Sequence, residues 1–256
     1  MKKINFCIVL YNKKIFESNT ITSLDNYFRN NKVLGDIVVF NNGPEEVELY
    51  DADYFICNQV LVNASLSKIY NKFIDEYLSD YYVFLDDDTF LTDTFLNELK
   101  NIDSDIFLPQ ISCEGEIHYP VIKNQSMQTI TSGLTLSSKI IQDLKSYHQK
   151  VFDERFDLYG IDTAFCNLIN KMKLNYEISN SIIEHDLSHI SSGNNDFREI
   201  EVLLSNSASL FPYFSFRLLL SVGYGNLKMI KKLKFNVLLS SFFSIILQRT
   251  IRTWRF

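Results

Sequence analysis

The chain predicts an α/β fold: a mostly parallel central sheet, followed by a helical, basic C-terminal extension expected to associate with a membrane. Over the first hundred residues, short and nearly continuous apolar runs alternate with helical spacing, the signature of βαβ units. Three of those runs end in polar residues, Tyr11-Asn12, Asn41-Asn42 and Asp86-Asp87-Asp88, and ligands of open α/β sheets gather at the carboxyl ends of strands. Charge divides the chain sharply near residue 201.

The first run, Ile4–Leu10, is apolar at nearly every position and suits a strand buried on both faces. A helix is expected over 16–31 and a second strand over 36–40, closed by the turn Asn41-Asn42-Gly43-Pro44. Residues 54–57 read as a short strand. Residues 65–78 read as a helix, with Leu66, Ile69, Tyr70, Phe73 and Tyr77 on one face. A strand over 81–85 runs directly into the three aspartates. Beyond them, strands are expected at 105–109, 116–122 and 133–136, helices from about 139 and over Ile161–Met172, and an extended segment over 175–184.

At 256 residues and 46% hydrophobic content, the chain suits one domain with a small appendage. Cys7, Cys57, Cys113 and Cys166 form no CxxC pair, and the opening Met-Lys-Lys-Ile-Asn lacks the apolar stretch of a signal peptide, so reduced thiols and a cytoplasmic location are expected. The net charge of −6 conceals an asymmetry. From Val202 onward there is no Asp or Glu, but there are Arg217, Lys228, Lys231, Lys232, Lys234, Arg249, Arg252 and Arg255. Such a tail is expected to face something anionic. Its apolar run Val237 to Leu247 is far shorter than the roughly 20 residues a membrane span requires. With Phe242, Phe243 and Trp254 nearby, it reads as an interfacial amphipathic element at an anionic membrane surface. A helical pair packed on the domain with its basic face in water is the alternative. Nucleic-acid binding is disfavoured, because the first 200 residues are acidic and no binding motif is present.

Asp86-Asp87-Asp88 is the sharpest chemical signal. Three consecutive carboxylates repel one another unless a cation or water screens them, and they offer hard oxygen ligands for Mg²⁺ or Mn²⁺. On extended backbone Asp86 and Asp88 point the same way and Asp87 the other. A solvated acidic turn before a helix capped by Thr92 or Asp93 is the plainer alternative. Asp162 follows Tyr159-Gly160-Ile161 in the first turn of an expected helix, where a carboxylate also simply complements the helix dipole. His185-Asp186-Leu187-Ser188-His189 mimics a zinc-protease HExxH helix, but an extended segment precedes it and Gly193-Asn194-Asn195 follows.

Taken in order, these segments resemble bacterial family 2 glycosyltransferases of the GT-A fold, including rhamnosyltransferase-like members of polysaccharide assembly, from about Ile4 to Gly193. Val9-Leu10-Tyr11-Asn12 is similar to the first-strand donor-binding segment, and Val39-Phe40-Asn41-Asn42-Gly43 to the second-strand turn. Asn63 and Asn71 match spaced asparagines, with Ser65 and Ile69 replacing the family's glycine and alanine. Phe84-Leu85-Asp86-Asp87-Asp88-Thr89 resembles the DxD motif. Ser132-Gly133-Leu134-Thr135-Leu136 resembles the acceptor-side strand. Phe152-Asp153-Glu154-Arg155-Phe156 with Tyr159-Gly160-Ile161-Asp162 resembles the catalytic region, where Ile161 replaces a usual glutamate; His185 matches a following histidine.

The resemblance implies a GT-A catalytic domain over 1–200, with a nucleotide-sugar-binding half (1–100) and an acceptor half (101–200), and an extension over 201–256. It implies metal-dependent, inverting transfer from a nucleotide-diphosphate sugar to a glycan acceptor, the latter polyprenyl-diphosphate-linked by analogy, at the inner face of the cell membrane. Asp162 is the implied general base. Tyr11, Asn12, Asn42, Asn71, Asp86 and Asp87 are the implied donor contacts, and Asp88 with His185 the implied metal ligands for Mg²⁺ or Mn²⁺. An inactive membrane-docked scaffold on the same fold is the alternative, resting on Ile161 and Ser65. A haloacid-dehalogenase phosphatase does not suit Phe90 or so late a motif, and a nucleotidylyltransferase would need a Gly-rich loop after Leu10.

Overall fold

The computed structural model describes residues 2–187 and 196–251. Its parallel heart is β1 (Ile4–Leu10), β2 (Ile37–Asn41), β3 (Phe55–Gln59) and β4 (Tyr81–Asp86), side by side in the order β3-β2-β1-β4. Then come β5 (Ile106–Cys113), β6 (Glu116–Tyr119), β7 (Val121–Lys123), β8 (Ser126–Gln128), β9 (Thr135–Ser137) and β10 (Glu177–Glu184). β9 inserts antiparallel between β4 and β5, while β10 closes the far edge parallel to β5. The sheet is therefore mixed overall and parallel over β1 to β4.

The continuous apolar runs have a simple cause: both faces of the sheet are covered. In β1, Phe6 and Ile8 face one layer, with α1 (Asn19–Asn30), whereas Cys7 faces the other, with α2 (Leu66–Glu76). β4 repeats the alternation, Val83 and Leu85 against Tyr82 and Phe84. α3 (Asp93–Lys100) joins the first layer; α4 (Ser138–His148) and α5 (Ile161–Met172) join the second.

Three local departures from the sequence expectation have physical reasons. The helix expected over 16–31 starts later, because Ser18 caps α1, its Oγ accepting the Ile21 amide at 3.2 Å, and Ile15–Glu17 forms a separate 3₁₀ turn. The single strand expected over 116–122 divides at Pro120, which has no amide hydrogen to give a ladder. Its second part pairs instead with β8, in an unanticipated hairpin.

The C-terminal segment is helical: α6 (Asp196–Ser209), α7 (Phe216–Lys231) and α8 (Phe235–Leu247) pack around Leu203, Val222, Met229 and Val237. Ala208 also joins the core layer of α2 and α5, and the Thr250 amide donates to the Arg155 carbonyl at 2.8 Å. Among the described residues no helix is long and apolar enough to cross a membrane.

Candidate active site at the carboxyl edge of the sheet

Asp86 ends β4, and the turn that carries Asp87, Asp88 and Thr89 is held from beneath by the start of α1. The fully buried Thr20 hydroxyl lies 2.9 Å from the Thr89 carbonyl, contacts the Asp86 carbonyl, and accepts the Thr89 amide at 3.0 Å. Ser18 Oγ, which caps the helix, also donates to the Asp87 carbonyl at 2.7 Å. The start of α1 thus gives the carbonyls of the acidic turn their donors and the Thr89 amide its acceptor.

A second tie brings in His185. Phe90 and Glu184 exchange backbone hydrogen bonds of 2.7 and 3.2 Å, which draws the end of β10 against the acidic turn. The His185 amide then donates to the Ser112 carbonyl at 3.0 Å. The imidazole lies between two aspartates: Nε2 is 3.6 Å from Asp86 Oδ2 and Nδ1 is 3.0 Å from Asp88 Oδ1. Nδ1 also lies 3.0 Å from Thr89 Oγ1, which in turn contacts Ser132 Oγ at 2.5 Å. Asp87 turns the other way, to Lys13 Nζ at 2.9 Å.

Electrostatics follow from this crowding. Asp86 is partly open, but only to a cleft walled by protein. Burial raises its carboxyl well above the usual range; His185 pulls it back, while Asp88, Asp162 and Asp87 push it further up. Burial opposes charge on His185, yet the close Asp88 carboxylate and the charges of Asp86 and Asp186 outweigh it and raise its affinity for a proton. Asp88 Oδ1 is buried without an aligned donor despite the close imidazole. A buried carboxylate oxygen without a donor has the chemistry of a cation ligand, and Asp86 and Asp88 supply hard oxygens on one side of the turn. Among the described residues, no group of three or more His, Cys, Asp or Glu side chains is already arranged as a metal site.

Two cavities meet here. One, of about 700 Å³, is lined by Val9, Tyr11, Asn63, Asp87, Asp88 and Phe197 among others; the second, of about 360 Å³, by Thr131, Tyr159, Asp162 and Arg198. Asp86 and His185 line both. In the second, Asp162 sits in the first turn of α5, and Thr131 Oγ1 donates to its Oδ1. Burial raises the Asp162 carboxyl, and the bond from Thr131 and the charge of His185 only partly offset this. Gly160, the helix N-cap, adopts φ +91°, and a Cβ there would lie 2.2 Å from Ser205 Oγ and 2.8 Å from Phe156 Cδ1. Only glycine allows α5 to begin where it does.

The donor contacts expected from the sequence divide into groups. Tyr11 is half exposed on the wall of the larger cavity. Asn42 also lines it, although its amide is engaged with Ala64, accepting the amide at 2.6 Å and donating to the carbonyl at 3.0 Å. It thereby shapes the loop that carries Asn63. Asn12 is exposed at φ +53° beside Gly43 and is not among the cavity-lining residues. Asn71 is buried away from the cavity, holding Phe152 and Glu154. Thr20 and Thr131 were not anticipated; nothing in a single sequence sets them apart from other threonines. His189, the second histidine of the HExxH-like pattern, lies outside the described residues, as do Arg252, Trp254 and Arg255.

No protein-family model matches the chain, and no curated protein matches it. Solved structures do. The crystal structure of S. aureus TarS 1–349 in complex with UDP-GlcNAc superposes with TM-score 0.51 and 13% identity, covering 94% of this chain and 73% of that one. S. aureus TarS 1–349 alone gives 0.50 and 12%, covering 94% and 72%. The longer S. aureus TarS structure gives 0.50 and 12%, covering 84% of this chain, which spans 44% of that one. At such identities the likeness is one of fold: mixed α/β, with the sheet parallel at its core.

Proposed function

We propose that the chain transfers a hexosyl or deoxyhexosyl group from a nucleotide-diphosphate sugar to a hydroxyl of a glycan acceptor, with inversion at the anomeric carbon. The observation that carries this reading is the meeting of the two cavities at Asp86 and His185, with the acidic turn in one and Asp162 in the other. One cavity suits a donor and the other an acceptor, and their junction is where a bond between the two would form. The likeness of fold to a chain crystallised with UDP-GlcNAc supports a nucleotide-sugar donor. The order of sequence motifs supports a family 2-like, rhamnosyltransferase-like enzyme of surface-polysaccharide assembly.

In this reading Asp162 Oδ takes the proton of the acceptor hydroxyl as that oxygen bonds to the anomeric carbon and the bond to the diphosphate oxygen breaks. Burial, which raises the affinity of Asp162 for a proton, strengthens it as a base, while Thr131 orients it. Asp88 and Asp86, with His185 beside them, would hold Mg²⁺ or Mn²⁺. Such a cation would supply charge neutralisation for the departing diphosphate. Tyr11 and the loop set by Asn42 would border the nucleotide. A lipid-linked acceptor at the inner face of the membrane, with the chain as a peripheral protein, completes the proposal.

Nucleotide-diphosphate release from UDP-, dTDP- and GDP-sugars, with and without glycan acceptors, tests it. Release with one donor class, accelerated by an acceptor and lost in Asp162→Asn, is expected. Equal release from Asp162→Asn would remove the assigned base.

A further inference from the structure

Beyond their small apolar core, the C-terminal helices expose much of their large apolar surface. α8 buries Ser240, Ser241 and Ser244 and exposes Leu239, Phe242 and Ile246, each of these three more than half exposed. The serines let helices approach closely: Ser241 Oγ lies 2.8 Å from Ser207 Oγ of α6, and Ser244 Oγ accepts the Ile251 amide at 3.0 Å. On α7, Leu220, Tyr224 and Leu227 are likewise more than half exposed, spaced four and three residues apart on one helix face. Two adjoining helices thus turn large apolar side chains to the outside, and α8 in addition turns small polar ones inward, whereas α7 also buries Val222 and Met229.

The charges identify what covers this face. Lys228, Lys232 and Lys234, which the sequence counts toward an anionic partner, are held within the fold: Lys228 and Lys232 pair with Glu199, and Lys232 and Lys234 with Asp196. Exposed Arg217, Lys231 and Arg249 have no ion pair among the described residues, and no acid occurs from Val202 onward. A second copy of the face would set these cations against more cations. Anionic lipid headgroups complement them, and acyl chains complement the apolar ridge between.

We infer that the exposed α7–α8 face is a lipid-docking surface, inserted mainly by its apolar ridge and only secondarily by charge. This deepens, and rests on, the proposed membrane-held acceptor. The face is linked to the site through α6, whose Phe197 lines the larger cavity and Arg198 the smaller while its flank packs on α7 and α8. Docking would therefore fix the cavities relative to the bilayer surface.

Vesicle co-sedimentation of the full chain tests this, using phosphatidylglycerol–phosphatidylcholine vesicles and phosphatidylcholine vesicles alone, at low and high NaCl. The double variant Leu227→Asn/Phe242→Asn is expected to lose at least tenfold in vesicle affinity with an unchanged melting temperature. Salt is expected to weaken the native chain only a few-fold. The inference is overturned by a native chain that stays in the supernatant with both vesicle types. It is equally overturned by vesicle binding that high salt abolishes, or by a dimer in sedimentation equilibrium that the double variant dissolves without any vesicle binding. The two readings fail separately. Vesicle binding with no nucleotide-sugar effect on melting keeps the docking face and removes the transferase; a nucleotide-sugar effect without vesicle binding does the reverse.

Discussion

Asn71 grips Phe152 by both ends of its side-chain amide: Nδ2 donates to the Phe152 carbonyl at 2.8 Å, and Oδ1 accepts the Phe152 amide at 3.1 Å. Asn71 is 1% exposed, and Phe152 is fully buried against Tyr70 and Phe84. The resemblance names Asn71 as a donor contact, whereas this geometry makes it a fastener between α2 and the segment leading to Asp162. Asn71→Ala would strand two buried backbone groups at a cost of about 2–4 kcal/mol, or roughly 5–10 °C in melting temperature. Melting curves with and without nucleotide sugar check this: the melting temperature should drop while the increment caused by the sugar persists.

Asp162→Asn should lower turnover by roughly 100- to 10,000-fold, the usual contribution of a general base, and leave donor binding in place. It should also alter the pH dependence of stability. Burial raises the folded-state pKa of Asp162, so the folded chain binds this proton more tightly than the unfolded chain does. Native stability from this group is complete below the unfolded-state pKa and is lost as pH rises through the folded one. The asparagine variant should therefore melt above the native chain at neutral pH, with the difference shrinking toward acid. Paired pH–melting series check the sign.

Thr20 lines neither of the two cavities, yet its hydroxyl holds the backbone of Asp86 and Thr89. Thr20→Val keeps the shape and removes the hydrogen bonds, a loss of about 1–3 kcal/mol. If the acidic turn binds cation and donor together, this variant should also weaken the Mn²⁺-dependent effect of donor on melting. A merely structural threonine would leave that increment unchanged.

Gly160→Ala combines φ +91° with a 2.2 Å approach to Ser205 Oγ. Strain and displacement together should cost about 1–3 kcal/mol. Because α5 must shift to relieve them, kcat should fall more than donor affinity. Steady-state kinetics with separate donor and acceptor titrations resolve the two.

The strands of the parallel core were legible because burial on both faces writes a continuous apolar run, as in Ile4–Leu10. The acidic turn was legible because three carboxylates after such a run have few neutral explanations. β9 and the 121–128 hairpin were less so, since their pairing depends on partners distant in the chain. Thr20 and Thr131 act through positions that only the fold brings together, and their residue type carries no signal. The tail illustrates a different limit. Its charge count was visible, but Lys228, Lys232 and Lys234 meet Asp196 and Glu199 from before residue 202, so composition overstated the free positive charge.

The most direct measurement is a thermal-shift panel of UDP-, dTDP- and GDP-sugars, each with Mn²⁺ and with EDTA, on the native chain and on Asp88→Ala. A rise with one nucleotide class that requires Mn²⁺ and disappears in Asp88→Ala is the predicted result. A folded native chain whose melting no nucleotide sugar changes, in either condition, would contradict the account.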